Sequence, residues 1–293
     1  MGSLKWVLMI GSLCSAMGAF AEDPPIVGIN GHTVSFRATE WTTPGVDSAT
    51  AWFTANGKTF PLFGADIGAD GHSNMLSPDK KTLLLDPVIF GMLSDENGEG
   101  KLVSQQHCTV ISMETGCVLA DRSATFCVGQ WKGNQWVTDD GEVLTPALET
   151  RSPKDLLKHV TSNELAQSRA ESIEWGLVFL SPESYMACHP PAQNVQAYND
   201  LGFYLAEGGK DELALKLYRG VEAVGKRTVL MLNIADSLWR LDRKDEAQRY
   251  YSQYRDAMSA DGKAQKIPQR AVERSVFQGM KNLTCLCALL HCP

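Results

Sequence analysis

The most regular hydrophobic pattern of this chain lies in its C-terminal third and recurs after 33 residues. In both copies, apolar or small side chains occupy positions i, i+3, i+4 and i+7, which form one face of a 3.6-residue helix. The eight positions are Tyr198, Leu201, Gly202 and Leu205, then Met231, Ile234, Ala235 and Leu238. The pattern predicts four helices, over about 194–207, 210–224, 228–241 and 243–258.

Turns and small residues group these four helices into two pairs. Residues 208–209 and 241–242 supply the turn inside each pair. Small side chains at matched places let the two helices of a pair approach closely, namely Gly202 and Ala214 in the first copy and Ala235 and Ala247 in the second. A pair of hairpins has little core of its own. We therefore expect the preceding segment to cover one end and a helix over 268–281 to cover the other.

Residues 26 to about 144 show a different, strand-like pattern. Short β-prone runs alternate with clusters of Gly, Asn, Asp and Pro, and their spacing is typical of an antiparallel meander, sandwich or small barrel. The clearest runs are 33–37, 82–85, 108–113 and 117–120. Between the last two, Gly116 is expected to take the positive φ that a tight turn requires.

A mixed segment connects the two regions. It contains helical runs at 153–160 and 163–173, followed by a strand-like run at 175–180. Ser152 and Pro153 fit a helix N-cap followed by proline at the first helical position. The fold class predicted is α+β: a β-rich domain over 22–150, a connector over 151–193, a helical array over 194–282 and an irregular cysteine-containing tail over 283–293.

The first 21 residues have the pattern of a secretory signal peptide. Lys5 precedes an apolar run over 6–20, and Ala19 and Ala21 occupy the −3 and −1 positions of the expected cleavage site. The run of about 15 apolar residues is shorter than the ~20 that span a bilayer. We therefore predict export, without stable insertion into a membrane.

The net charge restricts the classes of partner that the protein can bind, and the cysteine content indicates the compartment. After cleavage the chain has 26 basic and 34 acidic side chains, a net charge of −8, which argues against nucleic acid as a partner. Seven cysteines remain, an odd number, and in an oxidising compartment they are disulfide candidates. If 117–120 and 125–128 form a hairpin, Cys117 and Cys127 come opposite each other, so we predict that they are linked. Cys108 would then be left for Cys188.

Other possible chemistry is less well supported. Cys285, Cys287, His291 and Cys292 offer soft ligands in the tail, but zinc sites usually have a longer loop between ligand pairs. Asp66, Asp70 and His72 lie in a Gly-rich loop without the acidic spacing of an EF-hand, and a solvated loop is the better interpretation. The common hydrolase, metalloprotease, Walker and dinucleotide motifs do not occur. We predict no metal, no cofactor and no catalytic residues.

Residues 195–267 resemble the tetratricopeptide-repeat family, on the matched helical positions given above. Together with the signal peptide and the β-rich front, this part is similar to exported bacterial proteins that end in such repeats, which places the protein in a bacterial periplasm or outside the cell. In this family the concave groove is lined by fixed positions of each first helix. Here these are Gln196, Asn199, Phe203, Ala206, Val229, Leu232, Asp236 and Trp239.

The resemblance implies protein or peptide binding. Phe203 and Trp239 would be aromatic anchors, Asn199 would bond an extended peptide backbone, and Gln196 and Asp236 would complete the partner-binding set. In the alternative, the aromatic residues pack against the flanking elements. Some family members bind the C-terminal carboxylate of a peptide with a clamp of charged residues. The resemblance does not imply this clamp here, because Asn233 fits one of its positions but the residues at its lysine positions are not basic.

The leading hypothesis is therefore an exported, non-enzymatic protein-binding module, an adaptor or scaffold. The first alternative is an enzyme with its site in the β-rich domain, for which the repeats serve as a binding arm. The second is a periplasmic immunity protein that blocks a toxin. The partner's identity and the oligomeric state are left open by the sequence.

Overall fold

The computed structural model describes residues 24–39, 48–64, 67–68, 75–94, 100–144, 146–177, 180–225 and 227–276. The predicted signal peptide, the tail over 283–293 and the residues Asp66, Asp70 and His72 lie outside this part of the chain. Strands come first and helices follow, so the protein has the α+β architecture that the sequence predicts.

The β part comprises short strands and one long one. In chain order the strands are β1 (Ile26–Val27), β2 (Thr33–Thr39), β3 (Ser48–Ala55), β4 (Lys58–Pro61), β5 (Ile67–Gly68), β6 (Met75–Leu76), β7 (Thr82–Leu85), β8 (Val88–Ser94), β9 (Gly100–Ser112), β10 (Val118–Ser123), β11 (Gly129–Lys132), β12 (Gln135–Thr138) and β13 (Val143–Leu144). The helices are α1 (Pro153–Val160), α2 (Ala166–Gly176), α3 (Pro182–Cys188), α4 (Pro191–Glu207), α5 (Asp211–Glu222), α6 (Thr228–Arg240), α7 (Lys244–Ala260) and α8 (Gln269–Ser275).

The strands form two antiparallel sheets. The larger has the order β1-β2-β3-β5-β8-β9-β7-β6, with β4 paired to β3 and β10 paired to β9. The smaller consists of β11, β12 and β13. The four strand-like runs of the sequence fall in β2, β7, β9 and β10, and Gly116 has φ 75° in the turn before β10. These predictions are confirmed.

Alternate residues of β7 face two different cores. Leu83 and Leu85 belong to a large core that continues from the sheet into the helices, whereas Leu84 belongs to a smaller core that includes Trp136 of the three-stranded sheet. The Trp136 indole donates to the Phe126 carbonyl (2.9 Å), which satisfies its polar atom inside that core. The sheet is thus covered by apolar contacts on both faces here, as period-2 alternation allows.

Helix α3 joins the sheet to the helical region. Ser181 caps its first turn by accepting from the Ser184 amide (2.9 Å) and also donates to the Pro61 carbonyl. The Ser184 hydroxyl, fully buried, donates to the Gly116 carbonyl (2.8 Å) and accepts from the Val118 amide (3.2 Å). Each buried hydroxyl therefore has a partner on a strand or turn, which fixes how α3 lies against the sheet.

The connector differs from its prediction in one place. α1 begins at Pro153 after the Ser152 cap, as expected, since the Ser152 hydroxyl accepts from the Asp155 amide (3.2 Å). The strand expected over 175–180 is wrong for its described residues. Trp175 and Gly176 are the last two residues of α2, and Ile173 of the same helix is buried in the core.

The predicted link between Cys117 and Cys127 is also wrong. Cys127 forms a disulfide with Cys108 (Cα–Cα 5.3 Å), and Cys117 forms one with Cys188 (Cα–Cα 4.8 Å). The remaining pairing, Cys108 with Cys188, is excluded with it. The physical reason is that residues 124–127 form a 3-10 turn rather than a strand, while β10 pairs with β9 and places Arg122 opposite Cys108. The turn brings Cys127 over β9, and Cys117 is left beside α3.

The four helices of the repeated pattern form two hairpins, α4–α5 and α6–α7. Gly209 and Asp242, at matched places in the two copies, both have positive φ (82° and 60°) in the turns. α2 packs against α4 and α8 against α7, so each end of the helical array is covered as expected.

Candidate partner-binding pocket

A pocket of about 380 Å³ lies between α4, α6 and α8. Phe203 of α4 lines it with 47% of its surface exposed. Polar and charged groups make up much of the remaining wall. The lining residues are Phe203, Ala206, Glu207, Tyr218, Asn233, Asp236, Arg240, Arg270 and Arg274.

Asp236 of α6 is the centre of the polar network in this pocket. Its carboxylate accepts from the Tyr251 hydroxyl (2.6 Å) and from Nε and Nη2 of Arg270 (as close as 2.9 Å). Arg274 Nη1 lies 3.6 Å from the same carboxylate. Burial, and then the hydrogen bond to Asp236, raise the pKa of Tyr251, so its hydroxyl stays protonated and donates.

Arg274 is held by aromatic rings as well as by charge. Its guanidinium lies 4.7 Å from the Trp239 ring centroid and donates to the Tyr251 hydroxyl (2.8 Å). Stacking on an aromatic face attracts the cation and orients its planar group. The Arg274 side chain keeps 29% of its surface exposed at the pocket wall.

Arg240 is committed to another partner. It forms a bidentate pair with Asp211 at the start of α5, with nitrogen–oxygen distances of 2.7 to 3.0 Å. The Asp211 side chain is only 6% exposed. Bidentate geometry of this kind is among the strongest that side chains form, so Arg240 mainly joins the two hairpins.

The five predicted partner-binding residues separate into two groups. Phe203 and Asp236 line the pocket, and Asn199 lies next to it, since its Oδ1 accepts from Asn233 Nδ2 (3.0 Å). Gln196 is exposed and donates to Asp200 (2.8 Å), outside the lining. Trp239 packs partly buried against the core and under two cations, which agrees with the packing alternative for this residue.

Sequence reasoning missed the arginines of α8. Arg270 and Arg274 lie C-terminal to the repeated pattern, so the expected groove positions do not include them. Their spacing of four residues puts them on one face of a helix. That spacing was the available signal, but it does not show which surface the helix covers.

A second cavity, of about 640 Å³, lies between the sheet and the helices. Trp52 and Phe63 line it on the side of the sheet, and Trp175 of α2, 70% exposed, lines it on the other. Its charged lining residues already have partners: Glu174 pairs with Lys210 (2.6 Å) and Lys216 lies 3.9 Å from Glu183.

Among the described residues of the β part, His107 and Asp121 form a pair with the chemistry of a general base. His107 Nδ1 lies 2.8 Å from Asp121 Oδ2, and Thr109 donates to the other carboxylate oxygen (3.2 Å). Burial raises the pKa of Asp121, although His107 opposes the shift. The His107 side chain is only 7% exposed, so a substrate has little access to it.

Within residues 24–276, as far as they are described, no cluster of His, Cys, Asp and Glu could hold a metal ion. The helices of the described ranges are all too short or too polar to cross a membrane. Comparison with models of known protein families gave no match, and comparison with curated proteins gave none either.

Proposed function

We propose that the protein is an exported, non-enzymatic binding module that holds a protein partner in the pocket between α4, α6 and α8. The observation that carries the proposal is Phe203, a large apolar side chain that lines a concave, partly charged surface while 47% exposed. Exposed aromatic side chains in such pockets are typical anchors of protein interfaces.

Two further observations support this proposal. The helical hairpins resemble tetratricopeptide repeats, whose concave faces bind peptides. The disulfides Cys108–Cys127 and Cys117–Cys188 fit an oxidising compartment, such as a bacterial periplasm, better than a cytosol.

The test compares two exposed aromatic residues on different surfaces. Wild type, Phe203→Ala and Trp175→Ala are used to capture partners from a periplasmic extract, and the captured protein is then purified and its affinity measured. Phe203→Ala should weaken binding by about 2 kcal/mol, or roughly thirtyfold, as a hot-spot residue does. Trp175→Ala is the matched control, because it removes a more exposed ring from the other cavity, and it should bind like wild type.

Trp239→Ala is not used in this test, since Trp239 packs against the core and its loss would also lower stability. If the purified partner binds Phe203→Ala as tightly as wild type, the proposed pocket is wrong. Loss of binding in Trp175→Ala alone would move the site to the cavity between the sheet and α2.

A further inference from the structure

The cavity of about 640 Å³ lies where the sheet meets the helical region. Strand β3 and the end of β4 with the residues after it form one wall, and the end of α2, the start of α3 and α5 form the other. Its volume falls in the range of roughly 300–1,000 Å³ that is usual for small-molecule sites, which are frequent at junctions between domains. Its lining residues all differ from those of the pocket between α4, α6 and α8, so the two sites are separate.

Aromatic rings line this cavity from both walls. Trp52 and Phe63 lie on the side of the sheet, and Trp175 lies on the side of the helices with 70% of its surface exposed. The Arg37 guanidinium lies 4.6 Å from the ring centroid of Trp52, and this attraction helps to hold that ring in place. The face of an indole carries partial negative charge and attracts C–H groups of partial positive charge. Trp175 therefore offers a stacking surface to a ligand with such C–H groups.

The charged side chains at this cavity occur in pairs of opposite sign. Glu174, which lines the cavity, is paired with Lys210 at 2.6 Å. Lys216, which also lines it, lies 3.9 Å from Glu183. Each lining charge therefore has an opposite charge beside it, and this balance favours an uncharged ligand over an ion.

The same side chains keep hydrogen-bonding capacity for such a ligand. The distance of 3.9 Å between Lys216 and Glu183 is too long for a hydrogen bond, so this contact leaves the N–H donors of Lys216 for other partners. Glu174 keeps 42% of its side-chain surface exposed, and a carboxylate accepts more bonds than the one from Lys210. The cavity thus provides a donor and an acceptor beside an aromatic surface.

We propose that this cavity binds a short, uncharged saccharide. One sugar ring stacks with a C–H-rich face on the indole of Trp175. Its hydroxyl groups accept from Lys216 and donate to Glu174. A sugar ring carries both kinds of surface, apolar C–H faces and an edge of hydroxyl groups, and so matches both parts of the cavity.

Two other classes of ligand match the cavity less well. A quaternary ammonium ion also stacks on aromatic rings, but Glu174 and Glu183 already have lysines beside them. A flat aromatic heterocycle stacks on an indole too, but it would fill little of the 640 Å³. Choline and adenosine represent these two classes in the experiment.

The experiment measures binding of neutral disaccharides to the purified protein by saturation-transfer NMR and isothermal titration calorimetry. The panel consists of maltose, cellobiose, lactose, mannobiose and N,N′-diacetylchitobiose, with choline and adenosine for comparison. At least one disaccharide should bind saturably, with the strongest saturation on the C–H groups of one ring face. Its affinity should change little between about 50 and 500 mM salt, because an uncharged ligand has no ionic contact that salt can screen.

Two substitutions of Trp175 distinguish stacking from simple apolar contact. Trp175→Leu keeps an apolar side chain without an aromatic face and should weaken the saccharide at least about tenfold, whereas Trp175→Phe should retain most of the affinity. Lys216→Met removes the donor and should weaken binding about fivefold. Lys158→Met, which changes an exposed lysine of α1, is the matched control and should bind as wild type. Both cavity side chains are largely exposed, so the unfolding midpoint of each variant should stay near that of wild type.

The outcomes distinguish this site from the pocket proposed for the protein partner. Phe203→Ala should bind the saccharide as wild type does, even where it loses the partner. If every disaccharide of the panel fails to bind saturably, or if Trp175→Leu binds as tightly as wild type, the saccharide site is wrong. If choline or adenosine binds and the disaccharides do not, the assigned class of ligand is wrong. Either result would leave the proposal for the other pocket unaffected.

Discussion

The ring of Tyr218 occupies the space that a side chain at position 202 would need. A Cβ built on Gly202 would lie 2.4 Å from Cε1 of Tyr218, far inside a normal contact. Tyr218 is itself only 1% exposed and belongs to the hydrophobic core, so moving its ring would disturb that packing. Glycine at this position therefore sets the distance between α4 and α5.

Gly202→Ala should destabilise the protein. Alanine improves helix propensity by about 1 kcal/mol, but overpacking a fixed core costs about 1–3 kcal/mol. We expect a net loss of roughly 1 kcal/mol or more in urea unfolding. Gly176→Ala is the matched control, because a Cβ there would meet Leu156 at an ordinary 3.6 Å, and it should leave stability unchanged or slightly raised. Equal effects of the two substitutions would contradict the role assigned to Gly202.

Peptide mapping without reduction should recover Cys108 linked to Cys127 and Cys117 linked to Cys188. The second link spans 71 residues and the first only 19, so the second should contribute more stability through the unfolded chain, about 4 against 3 kcal/mol by the loop-entropy relation. Replacing Cys117 and Cys188 with Ala should therefore lower the unfolding midpoint more than replacing Cys108 and Cys127. Recovery of a Cys117–Cys127 peptide would refute this pairing.

Replacing Arg240 should lower the free energy of unfolding, because it leaves the buried carboxylate of Asp211 without its partner. Asp211 is 5% exposed, and Arg240→Met would leave its carboxylate without the bidentate partner. We expect a loss of roughly 1–3 kcal/mol, as for an unsatisfied buried polar group. A double-mutant cycle with Asp211→Asn measures the coupling: the second change should cost less in the Arg240→Met background. Additive losses would show that the pair contributes nothing specific.

Stability should fall as the solution is acidified through neutral pH, in part because of His189. Burial lowers the pKa of this imidazole in the folded protein, whereas the unfolded chain keeps a value near 6.5. As pH falls through that value, the unfolded state takes up a proton that the folded state resists, so unfolding becomes easier.

The measurement is the free energy of unfolding in urea at pH 7.5 and pH 5.5, for wild type and for His189→Asn. The wild type should lose more stability between these values than the variant, which lacks the titrating group. The lower of the two pH values stays above the range in which most carboxyl groups titrate. An identical or steeper pH dependence in His189→Asn would rule out this contribution.

The sequence alone predicted the elements whose stability depends on near neighbours in the chain. The helices α4 to α7 follow from a 3.6-residue apolar period, and α1 follows from the Ser152 cap. The α+β order and the antiparallel pairing follow from short alternating runs with turns between them. Gly209 and Asp242 mark the hairpin turns, because a tight turn restricts backbone φ locally.

Only the tertiary structure determined the contacts between segments that are distant in the sequence. Cys117 lies beside Cys188 because α3 packs at the start of β10, and no local pattern encodes that approach. Trp175 lies near the end of α2 rather than in a strand, in a helix that buries Ala170 and Ile173 in the core. Arg270 reaches Asp236 across 34 residues because α8 folds back over the hairpins. Phe203 was expected from the resemblance to tetratricopeptide repeats, but the charge of its pocket comes from side chains that only the folded chain brings together.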